Sequence, residues 1–155
     1  MLTERSRELS KHSGQISFPG GRIDEGEDAL EAAIREAREE VNLVVDAEDI
    51  VTTLTPLYIP PTRYLIHPHV ALLDEHPVGL VANPGEVHKI MHVPVDVLLH
   101  PETRLEEPRQ FAGLEKMMVP YYAVDGSKVW GATAIVLAEL LFVLRKHEAE
   151  HGSAE

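Results

Sequence analysis

The sequence has 155 residues, a length that suits one domain built on one core. Its 44% hydrophobic and 26% charged residues are ordinary for a globular chain, and the absence of cysteine excludes a disulfide scaffold, a thiolate zinc site and a cysteine nucleophile. The 14 basic and 26 acidic residues leave a formal net charge of −12, which argues against nucleic-acid binding through a basic surface. An acidic chain can still act on a phosphate substrate when bound cations reverse the local field.

In chain order, Leu2 to Arg5 reads as a short strand, and Gln15 to Phe18 as a second, stopped by Pro19-Gly20-Gly21. A helix follows from about Asp28 to Val41. Ala29, Ala33, Ile34, Ala37 and Val41 recur near helical spacing, while Glu31, Arg35, Arg38 and Glu39 lie on other faces. Asp24 to Glu27 place negative charge near its positive end, and Asn42 suits a left-handed cap. Val51 to Ile59 and Tyr64 to Leu73 read as strands, Asp74 to Gly85 as a loop, and Val87 to Val93 as a strand. Pro94 opens a short helix through Leu99. His100 to Gly113 reads as a polar, mobile excursion, Met117 to Tyr122 as a strand and Val124 to Ser127 as a turn. A last helix covers about Ala132 to His147, with a wide apolar face that includes Val136, Leu137, Leu140 and Leu141. Residues 148–155 read as a frayed tail. This order predicts an α/β fold, an α/β/α sandwich around a mixed β-sheet, with residues 1–155 forming a single domain. No apolar run approaches the roughly 20 residues that span a bilayer, and Met1 to Arg5 carry no signal-peptide core. With no cysteine, the expected compartment is the cytoplasm.

The chemistry is concentrated in Gly21 to Leu43. Gly21 is followed after five residues by Glu27, and after seven more by Arg35-Glu36-Ala37-Arg38-Glu39-Glu40-Val41-Asn42-Leu43. At about 3.6 residues per turn, Glu36 and Glu40 stack on one helix face, with Glu39 close by. Carboxylates this close repel one another, and a hard divalent cation offsets the repulsion. A solvated acidic helix face with pairs such as Glu31 and Arg35 is the structural alternative. Gly20-Gly21 allow a close backbone approach, and Glu27 lies about two turns before Arg35, positioned to fix the loop to the helix.

This segment resembles the Nudix box, G-x5-E-x7-R-E-U-x-E-E-x-G-U with U apolar, and departs from it only at Asn42, where the family has glycine. The resemblance implies a metal-dependent pyrophosphatase using Mg2+ or Mn2+. Glu36 and Glu40 are implied as metal ligands, Glu39 as ligand or base, and a backbone carbonyl at Gly20 or Gly21 as a further ligand. Arg35 is implied to orient the glutamates. The reaction implied is attack of water at phosphorus, with no protein nucleophile.

Residues before the box carry a second resemblance. Leu2-Thr3-Glu4-Arg5-Ser6, Leu9, His12 and Gly14-Gln15-Ile16-Ser17-Phe18-Pro19-Gly20-Gly21 are similar to the accessory signature of the coenzyme A pyrophosphatase branch. Glu86-Val87 with Val93-Pro94, and Val129 to Ala134, extend the likeness downstream. It implies cleavage of coenzyme A (CoA), or a CoA derivative, to 4′-phosphopantetheine and adenosine 3′,5′-bisphosphate. Arg5 is then a candidate phosphate contact, or else a surface partner of Glu4 or Glu8. His12 and Gln15 either meet substrate or fix the loop. Glu86 is a candidate ligand or general base, or else an exposed loop charge. His67 and His69 share a face of one expected strand, but Pro68 between them favours a plain surface or core pair over zinc. Tyr64 and Trp130 can stack on adenine, although single aromatics are more often core.

The chain starts inside the signature, with Met1 in place of the first leucine, so a shortened N-terminal strand region and an open sheet edge are expected. Such an edge favours a homodimer. Two other functions fit the box. One is a Nudix enzyme for ADP-ribose, a dinucleotide or a nucleoside triphosphate. The other is a nucleotide sensor that binds without cutting. No nucleic-acid or membrane partner is expected.

Overall fold

Leu2 and Thr3, both buried, begin the strand around which the first sheet is built. The structure is a computed structural model that describes residues 1–8, 12–111, 113 and 115–151, so Leu9 of the N-terminal signature lies outside the described residues. The backbone divides into two compact units, Met1–His92 and Val93–Glu155.

In the first unit the elements run β1 (Leu2–Arg5), β2 (Ile16–Ser17), α1 (Ala29–Val41), β3 (Ile50–Thr53), β4 (Leu57–Ile59), β5 (Tyr64–Ile66), β6 (His69–Ala71) and β7 (Val87–Met91). Strand β1 lies between β2 and β7, antiparallel to both. The β1–β7 register slips after Glu4: Glu4 faces Lys89, whereas Arg5 faces Val87. His88 is the extra residue, and a bulge of this kind re-aims the neighbouring side chain, here Arg5. Two hairpin-like ladders, β3 with β6 and β4 with β5, complete the unit. Its core includes Leu2, Ile16, Ala32, Ala37, Val41, Val87 and Met91, and α1 packs on β7.

The helix starts where the sequence stops competing with it. Asp28 accepts from the backbone N–H groups of Leu30 and Glu31, and Glu31 accepts in return from the Asp28 N–H. Such a reciprocal box satisfies donors that the helix cannot, and its Asp is worth about 1 kcal/mol. The helix ends at Asn42, whose φ of 55° is left-handed. Asparagine therefore occupies the backbone state for which the Nudix pattern uses glycine.

In the second unit, α2 (Val95–Leu99), β8 (Arg104–Arg109), β9 (Met117–Val124), β10 (Ser127–Trp130) and α3 (Gly131–His151) form a helix-covered antiparallel sheet in the order β10-β9-β8. Tyr122, Val124 and Val129 meet the buried side of α3, which includes Leu137 and Leu141. Leu137 is 1% exposed, so its replacement by Ala costs about 2–5 kcal/mol.

Several expectations need correction. The strand expected over Val51 to Ile59 is two, β3 and β4, parted by a stretch that contains Pro56; Tyr64 to Leu73 likewise divides into β5 and β6 around Pro68. His67 and His69 therefore do not share a strand. The excursion expected over His100 to Gly113 contains β8, an edge strand in which Pro108 is tolerated because an edge leaves one row of backbone groups unpaired. Helix α3 runs on to His151, beyond the expected end at His147 and into the expected tail, and residues 152–155 lie outside the described residues. A mixed sheet was expected, yet every strand pairing among the described residues is antiparallel. The reason is that the strand after α1 pairs with β6 instead of returning beside β2. Strand β1 itself is paired on both sides, so the edges of this sheet are β2 and β7.

Candidate active site

Three carboxylates from two distant stretches of chain converge in the first unit. Glu36 and Glu40, one helical turn apart on α1, meet Glu86 from the turn that opens β7, and an oxygen from each lies within 4.8 Å of the others. Glu40 is 2% exposed. Its Oε2 accepts from the Gly20 N–H at 3.2 Å, and its Oε1 lies 3.8 Å from Nη1 of Arg5. Burial pushes the Glu40 carboxyl up to about 7; the Gly20 N–H and Arg5 oppose that shift, while Glu36 and Glu86 add to it.

The glycines before the helix serve this geometry. Gly20 adopts a φ of +152°, and Gly21 packs so close to Glu36 that a Cβ there would sit 2.1 Å from Glu36 Oε1. Only a residue without a side chain leaves the Glu36 carboxylate in place.

Arg35 fastens the loop to the helix. Its Nε and Nη2 donate to the two oxygens of Glu27 at 3.0 and 2.7 Å, a bidentate pair. Nη1 donates to Glu36 at 3.0 Å and to Glu39 at 3.1 Å, and Nη2 also donates to the Arg22 carbonyl at 2.9 Å. The Arg35 side chain holds Glu27 below the usual carboxylate range, helped by the Asp24 N–H. Glu27 first, and then Glu36, raise Arg35 further above its already high value.

The structure thus brings together Glu36, Glu40 and Glu86, with Gly20, Gly21, Glu27, Arg35 and Arg5 around them. It does not bring Glu39 into the cluster: its side chain is 54% exposed and turned to Arg35. His12 and Gln15 bond each other, Nδ1 to Oε1 at 3.0 Å, and His12 sits in a left-handed turn at φ 56°. Backbone bonds from Arg5 N–H to Gln15 and from Gly14 N–H to Arg5 join that turn to β1. Tyr64 accepts from Arg22 at 2.6 Å. In the second unit, Trp130 lies under the Arg109 guanidinium, 3.8 Å from its ring centre. Sequence reasoning missed Asn83, which donates to Glu86 at 3.3 Å; its signal was the Asn-Pro-Gly turn just ahead of that glutamate.

Three carboxyl side chains, with Arg5 and Arg35 as the cations paired to them among the described residues, form a donor set that fits a hard divalent cation.

Known proteins match this chain along most of its length. The NUDIX domain model matches residues 1–113. Nudix hydrolase 15, mitochondrial, of Arabidopsis thaliana is 37% identical over 145 residues, which cover 88% of this chain and 50% of that protein. A mitochondrial coenzyme A diphosphatase of Homo sapiens is 30% identical over 138 residues, covering 88% of this chain and 58% of that one. The chain spans about half the length of such relatives. A MutT/nudix family protein from Enterococcus faecalis superposes with a TM-score of 0.57 at 17% identity, over 93% of this chain and 54% of that one, a likeness of fold. With the box glutamates gathered in space and the domain model matching from the first residue through the end of β8, the chain belongs to the Nudix family.

Proposed function

We propose that the protein is a pyrophosphatase that hydrolyses coenzyme A or a CoA derivative, giving 4′-phosphopantetheine and adenosine 3′,5′-bisphosphate, with Mg2+ or Mn2+ as cofactor. The observation that carries the chemistry is the convergence of Glu36, Glu40 and Glu86 beside the Gly20-Gly21 loop. The substrate rests on the signature from Leu2 to Gly21 and on similarity to a relative that bears a coenzyme A diphosphatase name.

Glu36 and Glu40, with Glu86 beside them, would hold the cation, and a carbonyl of Gly20 or Gly21 would complete the set. When bound, the cation neutralises the pyrophosphate, polarises phosphorus and acidifies water. Arg35 keeps Glu36 and Glu39 oriented and ties them to the loop through Glu27. Glu86, delivered from a separate turn, serves either as the third ligand or as the base that takes the proton from the attacking water. Glu39, paired to Arg35, assists by position. Arg5 offsets the buried charge of Glu40 and reaches a substrate phosphate, while the His12–Gln15 pair frames the substrate. An alkaline pH optimum follows, since the water must lose a proton.

We read residues 1–155 as one functional domain, cytoplasmic on its cysteine-free composition. No helix among the described residues is long and apolar enough to cross a membrane. A homodimer, if formed through this sheet, joins at β2 or β7, and a clean monomer by light scattering at micromolar concentration overturns it.

The test is hydrolysis of CoA beside ADP-ribose, a dinucleotide and a nucleoside triphosphate, with Mg2+ or Mn2+ and products resolved by chromatography. Preferential release of adenosine 3′,5′-bisphosphate from CoA supports the proposal. Faster cleavage of another substrate keeps the chemistry and discards CoA, and no cleavage by folded protein favours a sensor.

A further inference from the structure

Glu86 lies far along the chain from Glu36 and Glu40, so something must fix it against them. The segment 79–86 runs along the C-terminal end of α1 and closes on it at three points. The Asn42 side-chain Nδ2 donates to the Gly79 carbonyl at 2.9 Å, Val81 N–H donates to the Val41 carbonyl at 3.1 Å, and Asn83 N–H donates to the Glu40 carbonyl at 2.8 Å. The Val41 and Glu40 carbonyls are helix-terminal acceptors, which the helix itself leaves without donors. One of the three thus bonds the backbone of the buried glutamate itself.

Asn83 then turns the chain towards the cluster. Its side-chain oxygen accepts from Gly85 N–H at 3.2 Å, and its carbonyl accepts from the N–H groups of Glu86 and Val87 at 3.0 and 2.7 Å. Its Nδ2 donates to Glu86 Oε1 at 3.3 Å. On the far side, the Glu86 carbonyl accepts from Ser6 N–H at 2.7 Å. Asn83 is therefore bonded both to the backbone of one carboxylate residue and to the side chain of another.

We propose that Asn83 is a positioning residue for the cation site: it sets the Glu86 carboxylate against Glu40 and Glu36 before any ion arrives. Asn42 is the outer fastening of the same segment, through a side-chain bond that glycine cannot make. The inference rests on the proposal that these carboxylates hold a divalent cation. A second-sphere group that orients a ligand typically contributes about 10–100-fold to metal affinity.

The experiment is a Mn2+ titration by electron paramagnetic resonance, which counts free ion and needs no substrate. It compares the parent, Asn83→Ser, Glu86→Gln and the double variant, with circular dichroism and melting to report folding. Serine can still cap the Gly85 N–H but cannot reach Glu86. Asn83→Ser is expected to weaken Mn2+ binding about tenfold. In the Glu86→Gln background the same change is expected to have little further effect, because its route is already cut. Parent-like affinity of Asn83→Ser, or an equal loss with and without Glu86, overturns the assignment while leaving the ion site standing. A parent that binds no Mn2+, or a Glu86→Gln protein that binds like the parent, removes the ion-site reading of Glu86 and the inference with it. Asn42→Gly keeps the left-handed backbone without strain, so its expected loss, about two- to threefold, reports the side-chain fastening alone; unchanged affinity removes Asn42 from the device.

Discussion

Glu40 in the first unit and Glu107 in the second both sit among charged neighbours, yet their carboxyl groups shift in opposite directions. Glu107 bonds Lys128 and accepts from Arg109 at 2.8 Å, and those cations hold it below the usual carboxylate range. Arg109 in turn lies over Trp130 and Lys128 over Tyr121, so the carboxylate is paired with cations that the fold itself holds in place. Around Glu40 the balance is reversed. Glu36 and Glu86 crowd it, Arg5 stays 3.8 Å away, and burial lifts its carboxyl to about 7. One cluster carries its own cations, whereas the other leaves anionic charge for a cation from outside. The difference separates an ion pair that serves the fold from a carboxylate group poised for a ligand.

The largest effect that sharpens this contrast is expected from Glu40→Gln. Loss of a direct ligand should lower CoA turnover by more than the roughly 10–100-fold typical of groups that only support one. A steady-state assay on folded protein checks it, and near-normal turnover would dissolve the contrast. Arg35→Lys comes next. Lysine keeps the charge but loses the planar fork that spans Glu27, Glu36 and Glu39, so turnover and Mn2+ affinity should fall about 10–100-fold.

A smaller effect is thermal. In cation-free protein the Glu40 carboxyl is raised from 4.5 to about 7, so the folded state binds its proton more tightly than the unfolded chain does. The stability this gives is fully present below about pH 4.5 and is lost as pH rises through about 7. In the presence of chelator, the melting temperature should therefore fall between about pH 5.5 and about pH 8 by more in the parent than in Glu40→Gln. Saturating Mn2+ should erase that fall, because the ion takes the ionised carboxylate. The smallest effect is that of Glu107→Gln, a change at a carboxylate already paired with two cations: a slight drop in melting temperature, with CoA turnover and Mn2+ affinity unchanged.

Much of this contrast could be read from the sequence, and the reasons are local. The spacing from Gly21 to Leu43 marks α1 and its stacked glutamates because helical geometry fixes which side chains share a face. The left-handed state of Asn42 was legible because few residue types enter it. The meeting of Glu86 with Glu36 and Glu40 was expected only through the family resemblance, which makes Glu86 a candidate ligand or base, since nothing local encodes the closing of the 79–86 segment onto the helix end. Strand β8 was hidden by its polarity: Glu106, Glu107, Pro108 and Arg109 read as a loop, yet at a sheet edge charge and proline are tolerated. Pro56 and Pro68 stand in the sequence as break signals, but the apolar runs on either side of each read as continuous strands. The second cluster depends on cross-strand neighbours such as Trp130 and Tyr121, a pairing that exists only once register is set.

The central claim is that the clustered carboxylates of the first unit bind a divalent cation. Calorimetric titration of Mn2+ at about pH 8, where Glu40 is largely ionised, into the parent, Glu40→Gln and Glu107→Gln tests it most directly. Binding by the parent and by Glu107→Gln, with a severe loss in Glu40→Gln, is the predicted result; equal binding by all three proteins, or loss confined to Glu107→Gln, would contradict it.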